Sequence, residues 1–418
     1  MTLTRRRFLT LAGATGAAAT IGIPVARGRP ASAAMPAPGA SGIDHIVVVC
    51  MENRSFDHWL GWVPDADGRQ AGLTYLDDHG VPHPTHHLRD RQGCGFNDPD
   101  HSYAGGRVQL DGGRCDGFRR GTNDDFALGY YTRDDLPLTA SLVDDFTIFD
   151  RWFCSILAPT YPNRFYTHAA ATDRLDNTSD TSTLPTIWDR LSGAGVPATY
   201  FFSDLPFLAL WGSKYLPVAR PIGDFFAQAA SGTLPAYSYL DPAFLGEDQG
   251  GSNDDHPHAD ILRGQALLSS IVRAVTSSPT WSSTVLVITY DEWGGFFDHV
   301  VPPVRPDGDP AHAQAGFRVP TVVVSPFARR GRVAHQHYDH TSILKFVEWR
   351  WGLKPLTVRD DAARNLAEVL DFGTPNRTPP SIPLVLDPGP HICGAPDVGM
   401  PASDPMWQDL RAVAASHG

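Results

Sequence analysis

Two apolar runs that each end in adjacent polar side chains are the feature that most constrains how this chain folds. Residues 46–49 lead into Glu52-Asn53, and residues 283–290 lead into Asp291-Glu292. Continuous β-branched runs of this kind are typical of strands buried in a parallel sheet. Parallel strands present their carboxyl ends at one edge, which is where α/β proteins bind ligands. We therefore predict that the two polar pairs lie together at a functional site.

The rest of the chain alternates between helical and strand patterns, which predicts an α/β fold. We expect a central, mostly parallel sheet flanked by helices on both faces. The predicted helices cover residues 138–146, 186–192, 224–230, 259–275 and 343–351, and the further strands cover residues 147–153, 198–202, 236–240 and 318–325. Residues 60–135 show little periodicity, which predicts a long, loop-rich cap insertion around the site. Two prolines predict that another helix begins at or just after Pro162.

The first 33 residues have the organisation of an export signal. Thr4-Arg5-Arg6-Arg7-Phe8-Leu9 is a twin-arginine motif, an apolar stretch follows, and Ala31-Ser32-Ala33 matches a cleavage site. Cleavage there would leave residues 34–418 and change the formal net charge from -12 to -17. No later stretch has the run of about 18 apolar residues that a membrane span needs. We expect a secreted, soluble protein that the twin-arginine machinery exports already folded.

Charge and motif content narrow the function. A strongly acidic chain is a poor ligand for nucleic acid and for anionic membranes, so we expect no nucleic-acid partner. The chain has neither a G-x-x-x-x-G-K-[ST] phosphate loop nor a G-x-S-x-G nucleophile elbow. Cys94 and Cys115 flank one loop and form the predicted disulfide pair, whereas Cys50 and Cys154 lie in apolar segments as buried thiols.

The side chains at the two strand ends favour metal chemistry. Carboxylate, carboxamide and hydroxyl oxygens suit a hard divalent cation, so Ca²⁺, Mg²⁺ or Mn²⁺ is expected, and a nearby histidine would admit Zn²⁺. Such a cation can activate a coordinated hydroxyl and neutralise a phosphoryl group. A threonine can then attack phosphorus and become transiently phosphorylated, while a histidine protonates the departing alcohol.

Four segments in sequence order resemble the bacterial phosphoesterase family. They are Glu52-Asn53-Arg54-Ser55-Phe56-Asp57-His58, Ala158-Pro159-Thr160-Tyr161-Pro162-Asn163-Arg164, Asp291-Glu292-Trp293-Gly294-Gly295-Phe296-Phe297-Asp298-His299 and Tyr338-Asp339-His340-Thr341-Ser342. That family contains bacterial and plant phospholipases C and an acid phosphatase, and it belongs to the alkaline phosphatase superfamily. The resemblance spans residues 43 to about 350 and implies an alkaline phosphatase-like fold.

The resemblance also implies residue roles. The metal-binding positions are Glu52, Asn53, Thr160, Asp291 and Glu292. Thr160 matches the nucleophile, and His101 and His256 match histidines that surround the phosphoryl group. Spacing does not separate His256 from His258, and we prefer His256. The acid phosphatase has an aspartate where this chain has Glu292, so the chain follows the phospholipase C pattern there.

We thus expect residues 34–418 to form one catalytic domain, with residues 373–418 as a proline-rich tail. The larger bacterial phospholipases C carry additional β-rich modules, which we do not expect here. The leading hypothesis is an exported phospholipase C-like phosphodiesterase that makes transient contact with a lipid surface. Its first alternative is a broad-specificity phosphatase on soluble phosphate esters. A secreted binding protein that keeps the fold without turnover is a further alternative from another class.

Overall fold

A central sheet of eight strands organises the part of the chain that the structure describes, residues 35–393 and 405–417 of a computed structural model. The export signal predicted at residues 1–33 lies outside the described residues. The strands are β1 (His45–Met51), β2 (Thr74–Leu76), β3 (Pro82–Pro84), β4 (His86–His87), β5 (Gly129–Tyr130), β6 (Thr147–Phe149), β7 (Trp152–Phe153), β8 (Ala198–Phe202), β9 (Ala219–Pro221), β10 (Tyr237–Asp241), β11 (Thr284–Tyr290), β12 (Thr321–Val324), β13 (Arg332–Ala334) and β14 (Tyr338–Asp339). The α-helices are α1 (Phe56–Leu60), α2 (Tyr103–Leu110), α3 (Pro137–Asp145), α4 (Thr160–Ala169), α5 (Ile187–Gly193), α6 (Ile222–Ser231), α7 (Ile261–Ser277), α8 (Thr341–Trp351), α9 (Val358–Asp361) and α10 (Pro405–His417).

The sheet is mostly parallel, as the alternating pattern predicts. Its strand order is β13-β6-β12-β11-β1-β10-β8-β9, and β12 is the strand that runs against its two neighbours. β1 lies between β10 and β11 and is parallel to both. The two strands singled out by their polar ends, β1 and β11, are therefore adjacent, and their residues are buried along almost their whole length.

The helices pack in two groups, which agrees with the predicted α/β class. α7 contacts α3 and α6, whereas α4 contacts α5 and α8. α7 forms because its apolar residues recur at helical spacing, and the side chain of Asp260 accepts a hydrogen bond from Leu262 N at its first turn. Each group buries an apolar helix face against the sheet, and this leaves the strand ends as the place where polar side chains collect.

The segment 60–135, predicted as a loop-rich insertion, contains short regular elements. α2 lies within it, and the small sheets β2-β3 and β4-β5 add further backbone pairing. Elements of two or three residues are too short to produce a periodic pattern in a sequence. The tail also contributes structure, because α10 packs on the 3-10 helical segment Phe207–Val218 and Trp407 stacks on Phe244 with ring centroids 4.1 Å apart.

The disulfide prediction was wrong. Cys94 is bonded to Cys393, and Cys115 is a buried free thiol. The prediction relied on proximity along the chain, but residues 391–393 return to the loop that contains Cys94, where Cys393 N donates to Gln249 O at 3.0 Å. Cys50 and Cys154 are buried free thiols, as predicted.

In the described residues, none of the helices combines the length and the apolar character that crossing a membrane would require.

Candidate active site

The polar pairs that follow β1 and β11 meet at one edge of the sheet. Met51 pairs with Tyr290 at the end of the two strands, so Glu52 and Asp291 lie immediately beyond the last pair. Asn53 N donates to Asp291 Oδ1 at 3.1 Å. All four polar side chains are fully buried. The parallel register of two strands is therefore what brings together residues that are more than two hundred positions apart in the sequence.

Gly294 makes this close approach feasible. It has φ +63°, and a Cβ at this position would lie 2.3 Å from Asn53 O. Asn53 itself has φ +56°, a conformation that asparagine tolerates better than most residues. A side chain at position 294 would push the two strand ends apart. Steric constraint therefore explains why a glycine stands two residues after Glu292.

Thr160 lies at the same edge because α4 begins there. Its Oγ1 donates to Glu52 Oε2 at 3.3 Å, and the side chain is fully buried. The helix starts two residues before the predicted position at Pro162. Proline is tolerated in the first helical turn because the amide that it lacks would have no partner within the helix. Thr160 is thus the first residue of a helix whose positive dipole end faces the site.

Arg164 is the residue that our sequence interpretation left without a role. One turn after Thr160, its guanidinium lies 2.6 Å from Glu52 Oε1, 2.7 Å from Asp241 Oδ1 and 3.3 Å from Asp291 Oδ2. Asp241 is the last residue of β10, so a third strand of the sheet also delivers a carboxylate to this edge. An acidic residue directly after the predicted strand 236–240 was the signal that could have identified it.

The two predicted histidines lie next to each other, and His101 contacts this cluster. His101 Nε2 is 3.4 Å from Asn53 Nδ2 and 3.8 Å from Glu292 Oε1. The rings of His101 and His256 are 5.7 Å apart, and Asp98 Oδ2 lies 3.9 Å from His256 Nε2. His258 turns away from them, and its Nε2 contacts Phe96 O at 3.1 Å. Of His256 and His258, His256 is therefore the one that lies beside His101.

His340 contacts the backbone of the strand end that carries Asp291. Its Nε2 contacts the backbone oxygen of Asp291 at 2.6 Å, while Trp152 Nε1 donates to its Nδ1 at 3.4 Å. This arrangement places the ring proton on Nε2, so the ring is a hydrogen-bond donor to the β11 end. Asp339 accepts a hydrogen bond from the backbone nitrogen of Thr341, the first residue of α8, at 2.9 Å.

Burial shifts the pKa values of the acidic and histidine side chains at this edge of the sheet. Burial raises the pKa of Glu52 well above its usual range, although Arg164 opposes the shift. Burial, opposed by His101 and reinforced by Asp291, raises the pKa of Glu292 to about 8. Burial also holds the pKa of His256 well below its usual range, because the charged ring would lose its hydration. Each shift reflects the cost of a charge away from water.

The donor set fits a divalent cation. Asn53 Oδ1 and Glu292 Oε1 are buried atoms without a hydrogen-bond partner, and Asp291 Oδ2 has an ion pair with Arg164 but no hydrogen bond. Buried polar oxygens that lack partners are costly unless a cation or water satisfies them. Together with Glu52 and Thr160 they form an all-oxygen group of the kind that Ca²⁺, Mg²⁺ and Mn²⁺ favour.

The chain is similar in sequence to known phosphoesterases and phospholipases C. The sequence profile described as the Phosphoesterase family matches residues 43–354. The chain is 32% identical over 395 residues to non-specific phospholipase C6 of Arabidopsis thaliana, which covers 82% of this chain and 76% of the relative. It is 31% identical over 468 residues to phospholipase C A of Mycobacterium tuberculosis strain H37Rv, which covers 91% of this chain and 88% of the relative.

Solved structures resemble the fold more distantly. A phosphonate monoester hydrolase of Agrobacterium radiobacter aligns with a TM-score of 0.41 and 12% identity over 79% of this chain and 78% of its own. The lipoteichoic acid synthase LtaP from Listeria monocytogenes aligns with a TM-score of 0.40 and 10% identity over 80% of this chain and 78% of its own.

Proposed function

The chain belongs to the phosphoesterase family, and from this membership we propose that it is an exported, metal-dependent phospholipase C. As a member, it is a hydrolase of phosphate ester bonds. Its proposed substrates are glycerophospholipids, which it would cleave to diacylglycerol and a phosphorylated head group. Relatives named phospholipase C support the substrate class, and the twin-arginine motif in residues 1–33 supports export.

The observation that carries the proposed chemistry is the 3.3 Å contact between Thr160 Oγ1 and Glu52 Oε2. It joins a hydroxyl at a helix N-terminus to a carboxylate at the end of β1. A divalent cation held by Glu52, Asn53, Thr160, Asp291 and Glu292 would supply positive charge that acidifies the hydroxyl and neutralises phosphoryl oxygens.

The side chains then have distinct tasks in a double displacement. Thr160 Oγ1 attacks phosphorus as the bond from phosphorus to the glycerol oxygen breaks, and the hydroxyl proton leaves toward Glu52. A histidine, His101 or His256, protonates the glycerol oxygen so that diacylglycerol departs as an alcohol. Water then attacks the phosphothreonine, and the phosphorylated head group is released with Thr160 restored. Arg164 keeps Glu52 oriented throughout.

The depth of the site favours one alternative. Thr160 and the four polar strand-end residues are fully buried, whereas His101 is partly exposed with 13% of its side chain accessible. A deeply buried site suits small phosphate esters, so a broad-specificity phosphatase on soluble substrates is the second candidate function. A binding protein without turnover is the third, and it needs no nucleophile.

One set of assays separates these candidates. The purified chain, supplied in turn with Ca²⁺, Mg²⁺ and Mn²⁺, is incubated with phosphatidylcholine, phosphatidylinositol and an aryl phosphate. We expect hydrolysis of the phospholipids, and activity on the aryl phosphate alone would replace the phospholipase C proposal by the phosphatase one.

The nucleophile is tested in the same assays with Thr160→Ala. Because the covalent step has no substitute, we expect turnover to fall by on the order of 10³-fold or more. The exposed Thr183→Ala is the matched control and should leave the rate unchanged. Acid-quenched wild-type protein should carry a phosphorylated head group on Thr160 in a peptide mass spectrum. Unimpaired function in Thr160→Ala would favour the binding protein.

A further inference from the structure

We propose that Asp98, His101 and His256 form a second cation site, selective for a transition metal such as Zn²⁺, whose occupation inhibits the hydrolase. One possible ligand atom of each residue lies within 4.8 Å of those of the other two. Asp98 Oδ2 is 3.9 Å from His256 Nε2, and the rings of His101 and His256 are 5.7 Å apart. The group lies beside the oxygen cluster and shares none of its members.

An unsatisfied buried nitrogen marks the site. His256 is 1% exposed, and its Nε2 is buried without a hydrogen-bond partner. The nearest carboxylate oxygens to this atom, Asp98 Oδ2 and Glu247 Oε1, are both 3.9 Å away, which is beyond hydrogen-bond reach but close enough to flank an ion. A buried polar nitrogen without a hydrogen-bond partner calls for an ion or a water to satisfy it, and two carboxylates nearby favour a cation.

Both rings are oriented as those of metal-binding histidines are. His101 Nδ1 faces Pro99 O at 2.8 Å, and His256 Nδ1 faces Pro257 O. A backbone carbonyl that accepts from Nδ1 fixes the proton there and leaves the lone pair on Nε2, which is the usual outer contact of a metal-ligating histidine.

Ligand chemistry separates this site from the all-oxygen group. Two imidazoles and one carboxylate favour Zn²⁺, Co²⁺ or Ni²⁺, whereas oxygen ligands favour Ca²⁺, Mg²⁺ or Mn²⁺. Zn²⁺ bonds to nitrogen at about 2.0–2.1 Å, so the three ligand atoms must close in by about an ångström. Asp98 can supply that movement, because 27% of its side chain is exposed. Three protein ligands also leave a fourth position open.

The inhibitory consequence rests on the proposed function. A cation bound to the lone pairs of His101 and His256 prevents either ring from moving a proton to or from the phosphate ester. It also fills space where the phosphoryl group would lie. Inhibition should therefore be competitive with substrate and should be reversed by a chelator that prefers Zn²⁺ to the resident metal.

The test measures binding first. The chain is loaded with Ca²⁺ or Mg²⁺, titrated with Zn²⁺ and, as a spectroscopic probe, with Co²⁺, and the bound metals are counted after desalting. We expect one Zn²⁺ in addition to the resident ion. Asp98→Asn should weaken Zn²⁺ binding about 10-fold or more, because loss of even an outer contact of a metal site costs about that much. Asp134→Asn, an exposed aspartate in the same insertion, is the matched control. His101→Asn provides a second ligand variant if Asp98→Asn folds poorly.

Inhibition is then compared with each variant's own rate in the absence of Zn²⁺. The half-inhibitory Zn²⁺ concentration should rise about 10-fold or more in Asp98→Asn and stay unchanged in Asp134→Asn. Equal binding by Asp98→Asn and Asp134→Asn, or one-for-one displacement of the resident ion by Zn²⁺, would overturn the second site. The Co²⁺ titration is repeated on Thr160→Ala, which needs no turnover. A wild-type chain that hydrolyses no phosphate ester would thus refute the proposed function while the binding result still stands.

Discussion

At the scale of single residues, Arg164 supplies the positive charge that allows three carboxylates to lie together at the buried edge of the sheet. Its side chain is fully buried and faces Glu52, Asp241 and Asp291. A guanidinium can serve several oxygens because its donors are arranged in a rigid fork. A buried charge that loses its partner is far more costly than a surface one, so the energetic consequence of a change at Arg164 should be large.

We expect Arg164→Met to lower the free energy of unfolding of the metal-free chain by about 3–5 kcal/mol, because three buried carboxylates lose their counter-charge. Urea unfolding in the presence of a chelator measures this. Added Ca²⁺ or Mg²⁺ should stabilise Arg164→Met more than the wild type, since a cation replaces part of the lost charge. Arg220→Met, on an exposed arginine, should change stability by no more than about 0.5 kcal/mol. Equal midpoints for the two variants would refute this role.

Glu348 gives the molecule a pH dependence away from the site. Burial, reinforced by Asp360, raises the pKa of Glu348 to about 9, from a usual value of 4.5. Between these two values the folded chain holds a proton that the unfolded chain has released, so this group's contribution to stability is lost as the pH rises.

The amide in Glu348→Gln cannot ionise and imitates the protonated acid. Relative to the wild type, this variant should gain stability from pH 5 to pH 9 by at most about 1.4 kcal/mol per pH unit. Urea unfolding at several pH values measures the difference. The exposed Glu368→Gln is the control, and its stability relative to the wild type should stay flat. A flat profile for Glu348→Gln as well would mean that Glu348 is ionised in the folded chain.

At the scale of elements, the sequence predicted what a long local pattern encodes. The strand at 198–202 and the strand ending at Tyr290 were placed to within one residue, because a buried strand imposes a continuous apolar run. The reversed direction of β12 left no trace in its composition, since strand direction is a property of the connections. The disulfide partner of Cys94 was missed because contact between positions 94 and 393 depends on the whole fold.

The disulfide and the hydrogen bonds beside it join the C-terminal segment to both loops that carry the candidate histidines. Cys94 precedes His101 in one loop, while Gln92 Nε2 donates to His391 O at 2.7 Å and to His258 O at 3.3 Å. These contacts hold residues 388–393 against the two loops. Release of this segment should therefore loosen both histidine loops without unfolding the sheet.

We expect Cys393→Ser to lower the free energy of unfolding by about 2–5 kcal/mol. Amide hydrogen exchange should become faster in residues 92–101 and 246–258, and the strands of the central sheet should keep their protection. Treatment of the wild type with a thiol reductant should give the same result, and the reductant should have no effect on Cys393→Ser. Unchanged exchange in both loops after reduction would show that the other contacts of residues 388–393 hold them.

At the scale of the whole molecule, the paired motifs at strand ends predicted which polar residues meet at one edge of the sheet. The fold brings four of the five proposed metal ligands together through the register of β1 and β11, and Thr160 through the start of α4. Asp241 carried a local signal, an acidic residue at the end of a strand, but the role of Arg164 could not be predicted, because it depends on the distance between elements far apart in the sequence. A local sequence pattern therefore does not reveal which distant elements come into contact.

Net charge is the other property of the whole molecule that bears on the proposed lipid substrate. The formal charge of the chain is -12, so an anionic bilayer should repel it. Screening shortens the reach of this repulsion from about 30 Å at 0.01 M salt to about 8 Å at 0.15 M. We expect hydrolysis of phosphatidylglycerol vesicles to rise several-fold over this range, whereas hydrolysis of zwitterionic phosphatidylcholine vesicles should change little.

A soluble substrate is the control in this experiment. It separates repulsion by the bilayer from any effect of salt on the active site itself. The rates of hydrolysis of phosphatidylcholine vesicles and of a soluble zwitterionic phosphodiester should both be independent of salt concentration, because neither reaction involves approach to a charged surface. Faster hydrolysis of phosphatidylglycerol at low salt would contradict the prediction. It would indicate that a local basic surface, such as the arginines at 114, 119 and 120, governs docking in spite of the net charge. Charge reversal at Arg114 and Arg119 would then abolish the salt dependence.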